Sequence, residues 1–467
     1  MTVEPARFVT GSLLRHVVVM AGTGAIGLVS VFAVDLVNLF YISLLGEQPI
    51  AASIGFAGLV GFFQISIAIG MTIGVGALVS RTLGAGDKDS ARRIASSSLV
   101  VMAAITAVIG VGTVAFLGPI LDAAGATGAT RAYAMSFLAI SSPSLPLMAG
   151  GMCCSALLRS VGDARRAMNV TLFAAVTTAI LDPILIFALH LGLEGAAVST
   201  VLSRVVLVWY GWRGARAHDM LAPVSWRALP DDARRVMAVA GPAIATNLAT
   251  PVGAAYLTHT IAQFGSGAVA GQAVADRISP VAFGVIYALS GAVGPILAQN
   301  LGAGLPNRVR ETMRDSLLFV VVAAGLAWAI LFAGQNLIVS AFSASGTTAE
   351  LVRLFCTYTA GSFLFVGALF VANAAFNNLG FPLLSTLFNW GRATLGTIPL
   401  VYFGAQYGAK GALIGQALGS VIFGAAAAMT AFRMVGRLRA GPTNPPAPVP
   451  AGTGMAALAS ITTRPRG

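Results

Sequence analysis

Residues 16–45 read HVVVMAGTGAIGLVSVFAVDLVNLFYISLL, a stretch that is apolar apart from scattered Ser, Thr and Asn and a single carboxylate, Asp35. At about 1.5 Å rise per residue, a helix of this length exceeds the ~30 Å hydrocarbon core of a bilayer. We interpret it as a long, tilted or bent first transmembrane helix. Asp35 then lies within the membrane, where a carboxylate is costly and usually faces a wet cavity or the inside of a helix bundle. It is therefore a candidate functional residue, the alternative being a buried, hydrogen-bonded structural group.

The composition of the whole chain is that of a polytopic membrane protein. Of 467 residues, 57% are hydrophobic and 9% are charged, against about 25% charged in soluble domains. A cleaved signal peptide is not expected, because Glu4 falls in the would-be basic region and the apolar run is too long. The net charge of +12 does not indicate nucleic-acid binding, since the basic residues form short clusters between apolar runs. We expect membrane lipids and no nucleic acid as partners, and a monomer.

Apolar runs separated by polar breaks predict twelve transmembrane spans, hereafter the first to the twelfth span. They lie near residues 16–45, 52–79, 95–121, 131–158, 166–190, 195–217, 236–264, 267–298, 312–341, 349–377, 382–404 and 410–433. Together they predict an all-α membrane protein.

Basic residues are concentrated on alternate sides of these spans. They cluster at the N-terminus, in the breaks at 80–94, 159–165, 218–235 and 299–311, and in the C-terminal tail. By the positive-inside rule, both termini are cytoplasmic, in a protein of the bacterial cytoplasmic membrane. Basic breaks that bind anionic lipid headgroups are compatible with the same pattern.

An internal repeat divides the chain. The segments Ser80–Gly86 and Ala298–Gly304 share the motif Leu-Gly-Ala-Gly, 218 residues apart, and the same offset relates Gly162 to Gly380. Because each half contains six spans, the halves run the same way through the bilayer and are related by a pseudo-two-fold axis along the membrane normal. The predicted domains are an N-lobe at 1–217, a cytoplasmic linker at 218–235, a C-lobe at 236–433 and a disordered tail at 434–467.

Three carboxylates fall deep within the spans: Asp35, Asp182 and Asp276. Asp182 precedes Pro183, which cannot donate a backbone hydrogen bond, so we expect the fifth span to loosen beside the acid. Thr178 lies one turn earlier on the same face, and Thr200 of the sixth span offers another hydroxyl. Carboxylate and hydroxyl oxygens suit a hard cation or a shared proton.

Asp276 has two interpretations. It is followed by Arg277, and Arg392 of the eleventh span is another candidate partner, so a structural ion pair competes with a role in binding substrate or protons. Other residues that could line a cleft for amphiphiles, or could simply pack or face lipid, are Asn38, Tyr41, Met152, Tyr256, Phe283 and Tyr287.

These motifs together resemble the MATE family, the multidrug and toxin extrusion transporters, over roughly residues 12–435. The resemblance is carried by Val34-Asp35 with downstream Ala51-Ala52, Leu83-Gly-Ala-Gly-Asp87, Leu158-Arg-Ser-Val-Gly-Asp163, Leu181-Asp-Pro183 and Ala298-Gln-Asn-Leu-Gly302. It implies twelve transmembrane helices in two lobes around a central cleft, alternating access, and coupling to inward flow of protons or sodium ions.

The resemblance is strongest to the DinF-like branch. Asp35 and Asp182 match the two acids of that branch and Thr200 matches its sixth-helix threonine, whereas Thr178 stands where asparagine is usual. The NorM-like branch has additional acids in its seventh and tenth helices, whereas this sequence has none at 236–264 or 351–377. The resemblance therefore implies a coupling site at Asp35, Asp182, Thr178 and Thr200. It also allows a sodium site at Asp35, Asp182 and Thr200, but threonine at position 178 weakens that inference.

The expected function is an exporter of amphipathic or cationic organic molecules that exchanges them for H⁺, or less readily Na⁺, with no other cofactor. A lipid-linked oligosaccharide flippase of the same superfamily is the alternative, although only Arg204, Arg277 and Arg392 are intramembrane basic residues. A membrane enzyme would need a nucleophile or metal constellation, and His190, His259 and the three Cys have no such spacing. A scaffold would not need two buried acids in one lobe.

Overall fold

The computed structural model describes residues 6–43 and 48–438, and these form helices joined by short turns, with no strand among them. The predicted fold class is confirmed: an all-helical membrane protein with two lobes of six spans, the N-lobe (first to sixth spans) and the C-lobe (seventh to twelfth spans). The tail predicted to be disordered lies, beyond residue 438, outside the described residues.

Eight α-helices build the described part of the N-lobe, residues 6–43 and 48–217. They are Leu13–Ser43, Gln48–Gly84, Lys88–Ala115, Leu117–Ala123, Gly128–Ser141, Leu145–Ser160, Ala164–Pro183 and Gly192–Ala217. A 3-10 turn, Ser142–Ser144, joins the two helices of the fourth span, and a π-helical turn, Ile184–Ala188, ends the fifth span.

The C-lobe is built from nine α-helices. They are Leu229–Ala262, Ser266–Ala282, Gly284–Gly302, Pro306–Ala341, Gly346–Thr357, Phe363–Leu379, Pro382–Gly391, Ile398–Ala405 and Gly408–Gly436. The helix of the seventh span thus begins at Leu229, earlier than the predicted span. A 3-10 turn, Thr359–Ser362, interrupts the tenth span and a π-helical turn, Arg392–Gly396, interrupts the eleventh.

Eleven segments among the described residues are long and apolar enough to cross a membrane, and they coincide with eleven of the twelve predicted spans. The other, the eleventh span, is divided into shorter helices by its π-helical turn. The prediction that the eighth span is one continuous helix is wrong. It breaks at Phe283, between Pro280, which lacks a backbone N–H, and Gly284, which favours a helix less than other residues do.

The lobes meet along the second and eighth spans at the end of the bundle that carries the basic breaks, hereafter the basic end. Gly84 lies against the backbone of Gln299, and Gly302 lies against the backbone of Arg81. A Cβ atom on either glycine would overlap the facing backbone. Since the two contacts are related by the 218-residue offset, the repeated Leu-Gly-Ala-Gly motif contains the glycines at which the lobes cross.

Away from the basic end the first span becomes more exposed. Buried residues recur along the first span at 13–27, among them Val17 and Met20 at 0% and 3% exposed, whereas no side chain at 28–38 is buried and Leu36 is 44% exposed. Two further contacts between the lobes, Gly24 with Ala288 and Val29 with Gly284, lie before or at the start of this more exposed part of the span. This pattern fits a cleft that widens toward the opposite end.

The segment before the first span closes the basic end. Phe8 is 1% exposed. Its backbone N–H donates to Gln299 Oε1 at 2.8 Å, and its carbonyl accepts from Asn300 Nδ2 at 3.1 Å and from an Arg308 Nη at 3.0 Å. On the N-lobe side, its ring lies 3.2 Å from the position that a Cβ of Gly162 would occupy. Both lobes therefore hold this segment.

In each lobe, an arginine connects the third span of the lobe to the end of its sixth span. In the N-lobe, Arg92 donates to the Leu221 carbonyl at 3.3 Å and lies 2.9 Å from an Asp219 oxygen. In the C-lobe, Arg310, 218 residues later, donates to the Gly436 carbonyl at 3.1 Å. These basic residues therefore have structural partners in addition to any role in orientation.

Candidate functional site

The fifth span is broken directly after Asp182. Its α-helix passes into a π-helical turn after Pro183, because proline has no N–H for the carbonyl one turn earlier. Asp182 is fully buried at this break, and neither of its carboxylate oxygens has a hydrogen-bond partner. A buried carboxylate without partners is stable in a membrane when it is protonated or binds a cation.

Ser199 of the sixth span lies beside Asp182 and was not among the sequence candidates. It is 0% exposed, and its hydroxyl also has no hydrogen-bond partner. A small rotation of this hydroxyl would let it donate to the carboxylate. The only sequence signal for Ser199 is its place directly before Thr200, and a serine in an Ala- and Gly-rich helix is not distinctive.

The two candidate threonines are already occupied as donors. Thr178 Oγ1 donates to the Ala174 carbonyl at 3.2 Å, and Thr200 Oγ1 donates to the Ala196 carbonyl at 3.0 Å. A hydroxyl whose hydrogen is given to its own helix keeps its lone pairs. Both residues can therefore accept a hydrogen bond or coordinate a cation in this arrangement, but they cannot donate to a carboxylate.

The first span packs parallel to the fifth at two levels. Gly27 lies against the side chain of Thr171, and the rings of Tyr41 and Phe187 are 6.0 Å apart in a T-shaped contact. The two contacts are nearly the same length of chain apart on both helices, 27 to 41 on the first span and 171 to 187 on the fifth. Residues between the two contacts can therefore be compared in depth.

Asp35 lies within about one helical turn of the depth of Asp182 but is not bonded to it. Asp35 is exposed and forms no hydrogen bond or ion pair with any residue that the structure describes. Asn38, one turn farther along the first span, has a buried Oδ1 with no partner. The structure thus brings Asp182 and Ser199 together and leaves Asp35 at the same level on the neighbouring helix.

In the C-lobe, Asp276 forms no ion pair with either arginine within the described ranges. The structural ion pair considered from the sequence is therefore absent. Asp276 and Arg277 are both exposed, and Arg392 lies on the π-helical turn of the eleventh span with a buried, unpartnered Nε. Tyr287 lies within electrostatic range of both Asp276 and Arg392. These groups form a polar cluster separate from Asp182.

The apolar candidates for the cleft are placed differently from one another. Tyr41, Met152, Tyr256 and Tyr287 are half-buried. Phe283, for which the sequence left both lining the cleft and packing open, is 0% exposed and stacks on Phe363 with ring centroids 4.1 Å apart. The structure favours packing, because Phe283 lies at the break in the eighth span and within the core of the C-lobe.

Arg159 was assigned from the sequence to a basic break between spans. The structure places it one residue before the end of the helix Leu145–Ser160, where it is half-buried and lies against Gly291 of the other lobe. Only its position in the fold distinguishes it from neighbouring arginines. No cluster of three metal-ligating residues occurs in the part of the chain that the structure describes.

Comparison with known sequences identifies relatives of both lobes. The profile of the MatE family matches residues 25–184 and 242–403. A protein of Shewanella oneidensis named FAD transporter is 28% identical over 417 residues, covering 88% of this chain and 92% of the relative. The multidrug export protein MepA of Staphylococcus haemolyticus is 26% identical over 342 residues, covering 71% of this chain and 74% of the relative.

Solved structures share the fold. The Vibrio cholerae MATE transporter VcmN in its bent form superposes with a TM-score of 0.85 at 23% identity, covering 91% of this chain and 97% of that one. An outward-facing conformation of a multidrug resistance MATE family transporter gives 0.87 at 18% identity, covering 93% and 98%. At these identities the likeness concerns the fold.

Proposed function

The chain belongs to the MatE family, and on that premise we propose that it exports small organic molecules in exchange for protons, by alternating access of a cleft between its lobes. The family and the named relatives are transport proteins, not enzymes, and this chain is a multi-pass membrane transporter of small molecules. The proton as coupling ion, the outward direction and the residues involved belong to the proposal.

The observation that carries the proposal is the unpartnered Asp182. Among the described residues, its two buried oxygens accept no hydrogen bond in this arrangement, and the hydroxyl of Ser199 beside it is close enough to donate after a small rotation. Such a carboxylate is stable when neutral and unstable when charged. Loss of its proton therefore favours another arrangement of the fifth span, and the π-helical turn at Ile184–Ala188 is the part of the helix best able to rearrange. Protonation and conformation are thereby coupled.

A proton fits this site better than a sodium ion. A hard cation needs several oxygen ligands at once, and Thr178 offers a hydroxyl where an amide carbonyl would be the stronger ligand. Asp35, at a similar depth, makes no bond to Asp182. A proton needs no set of surrounding ligands. It needs only a carboxylate whose uncharged form is favoured by burial. We assign Asp35 as the second, exposed proton carrier of the pair.

The lobe contacts suggest the state that the structure represents. The seam at Gly84 and Gly302 and the buried Phe8 close the basic end, which we assign to the cytoplasm, and the first span is exposed toward the other side. The structure then corresponds to an outward-facing state. The lobes are proposed to rock as units bounded at 1–217 and 236–433, with 218–235 as the linker.

The substrate class is taken from the cleft and the relatives. Exposed Asp35 and Asp276 could attract organic cations, as expected of the multidrug export relatives, whereas the FAD transporter relative is named for a larger, anionic substrate. We therefore propose small amphipathic organic molecules without restriction to one charge.

The test is efflux from liposomes that contain the purified protein. Ethidium and riboflavin 5′-phosphate serve as the cationic and anionic probes, and the membrane potential is clamped. A proton gradient alone should drive export of at least one probe, and a sodium gradient at equal pH should not. Robust efflux with sodium alone would overturn proton coupling, and no efflux of either probe under either gradient would overturn the exporter assignment.

A further inference from the structure

A cavity lies between the lobes on the pseudo-two-fold axis. Its volume is about 50 Å³, and twelve of its thirteen lining residues form six pairs that are 218 positions apart in the sequence. Thr72 pairs with Ser290, Gly76 pairs with Gly294, and Arg159 pairs with Asn377. A cavity lined by equivalent residues of both lobes lies where a substrate must pass when the lobes rock.

Arg159 is the one charged residue in this lining. Its symmetry-related position holds the neutral Asn377, so the cavity has a single positive charge near its axis. The Arg159 side chain donates from one Nη to Ser155 Oγ at 2.9 Å. No carboxylate lies within 4.0 Å of it among residues 6–43 and 48–438. Most of the donors of this guanidinium therefore have no protein partner.

The guanidinium lies at the interface between the lobes. The position that a Cβ of Gly291 would occupy lies 3.6 Å from Arg159 Nε. Arg159 therefore lies within van der Waals range of the eighth span. A half-buried cation without a counter-ion is costly unless water or an anion supplies acceptors. Another half-buried arginine of the N-lobe, Arg204, differs because it donates to the Ser141 carbonyl and to Ser144 Oγ, both at 2.7 Å.

The neutral side chains of the cavity favour one kind of anion. Thr72 and Ser290 donate to carbonyls of their own helices, so their hydroxyls present lone pairs. Asn378 donates to the Ala374 carbonyl and has a buried Oδ1 without a partner. The cavity thus combines the donors of Arg159 with the hydroxyl oxygens of Thr72 and Ser290 as acceptors. A singly protonated phosphate monoester supplies both acceptor oxygens and an O–H donor, whereas a carboxylate supplies no donor.

We propose that this cavity is the anion subsite of the substrate path, and that it binds the phosphoryl group of an organic phosphate beside Arg159. The inference rests on the proposed exporter function and deepens it by naming a substrate class. The phosphate would accept two hydrogen bonds from the planar guanidinium. Asn377 would contribute an amide donor, and the phosphate hydroxyl would donate to the hydroxyl oxygen of Thr72 or Ser290.

The test compares two ligands that differ in the phosphoryl group alone, riboflavin 5′-phosphate and riboflavin. Their binding to the purified full-length protein is followed by flavin fluorescence. The unmodified protein should bind the phosphate at least about tenfold more tightly, the size expected when charge-assisted hydrogen bonds are gained. Arg159→Gln should remove this preference and leave riboflavin affinity unchanged, and Arg159→Lys should keep part of it.

Arg165→Gln is the matched control, since Arg165 is exposed close to Arg159 in the chain and its loss removes the same charge. It should keep the full preference. Thermal unfolding checks that the variants are folded, and proton-driven ethidium efflux by Arg159→Gln reports on the exporter function separately. Equal binding of the two flavins by the unmodified protein, binding of neither, or an unchanged preference in Arg159→Gln would overturn the subsite. Ethidium efflux in those cases would leave the proposed function standing.

Discussion

Asp163 fastens the start of the fifth span to the end of the sixth. Its Oδ1 accepts from the Arg166 backbone N–H at 3.0 Å, and its Oδ2 lies 2.8 Å from His218 Nε2. Burial by itself would raise the pKa of Asp163, but these hydrogen bonds and the nearby positive charges outweigh burial and hold the pKa below its usual value. Asp163→Ala should lower the free energy of unfolding by about 1 kcal/mol near neutral pH, because the helix loses its N-cap.

Asp163→Asn separates the charge from the cap. Asparagine also caps helices, so this variant should lose less stability than Asp163→Ala. A lowered carboxyl pKa contributes stability that is fully present above the unfolded value of 3.8 and is lost as the pH falls through the folded value. The difference between the unmodified protein and Asp163→Asn, measured by thermal unfolding in detergent, should therefore shrink below about pH 4. A difference that grows with acidity would contradict this account, and the 98% exposed Asp89 provides a control in Asp89→Asn.

Thr178 decides between the two candidate coupling ions. Its hydroxyl is a weaker cation ligand than an amide carbonyl, and its hydrogen is given to Ala174. Thr178→Asn should therefore add a response to sodium without removing the response to protons. The measurement is efflux from liposomes under a sodium gradient alone, with Thr177→Asn on the neighbouring helix face as the control. An unmodified protein that already responds to sodium would refute the ligand argument.

For single residues, the sequence identifies the buried acids more readily than the side chains that surround them. Asp182 could be found because a carboxylate in an apolar run is conspicuous and Pro183 marks a break. Ser199 and Arg159 could not, because serine is common in these helices and arginine is common at helix ends. Their roles depend on which helix faces them, and that is decided by packing between distant spans. Gly84 and Gly302, where the two lobes cross, allow the backbones to pack this closely.

Among the elements, the N-terminal segment at Arg7–Val9 is placed to hold the basic end closed. Phe8 touches residues of both lobes, and its ring forms an edge contact with His16 at 5.2 Å. Phe8→Ala should cost about 3 kcal/mol in the closed state because a buried ring is lost. Spin labels on cysteines at the exposed Arg165 and Glu311 positions should then report a larger or broader distance between the lobes.

The matched variant for this prediction is Phe8→Leu, which keeps most of the apolar volume and should change the distance distribution less. Both variants are compared at one pH and in one detergent. If the distances in Phe8→Ala equal those of the unmodified protein, the segment packs at the seam without stabilising the closed state.

Element boundaries show where sequence patterns lose information. The twelve apolar runs follow from hydropathy, and each one corresponds to helices in the structure. Hydropathy does not predict the break at Phe283 or the π-helical turns. A continuous helix and a broken helix of the same sequence have the same hydropathy. The π-helical turn after Pro183 has a proline to signal it, whereas the one at Arg392–Gly396 has no comparable signal before it.

For the whole molecule, the repeat supplies a test of orientation. Asp89 and Asn307 are exposed, 218 residues apart, at the starts of the third and ninth spans. Asp89→Cys and Asn307→Cys should both react with a membrane-impermeant maleimide only when the cytoplasmic face is accessible, because both lie in basic breaks. Tyr407→Cys, at a position that is 84% exposed, should react from outside intact cells. The three native cysteines are buried and should give little background.

Labelling of the Asp89 and Asn307 positions from opposite sides of the membrane would be incompatible with two halves that run the same way. Labelling of both from outside would invert the orientation and reverse the proposed direction of transport. The seam itself depends on the same symmetry, since the crossing at Gly84 and Gly302 uses equivalent residues of the two lobes.

The central claim, that Asp182 exchanges a proton for substrate, is tested most directly by proton release on binding. Purified protein in weakly buffered detergent near pH 7 is mixed with ethidium while a pH-indicator dye is followed. The unmodified protein should release about one proton for each ligand bound. Asp182→Asn should bind ligand and release none, and Asp122→Asn, at an exposed ion pair with Arg131, should behave as the unmodified protein does. Undiminished proton release by a folded Asp182→Asn protein would contradict the account.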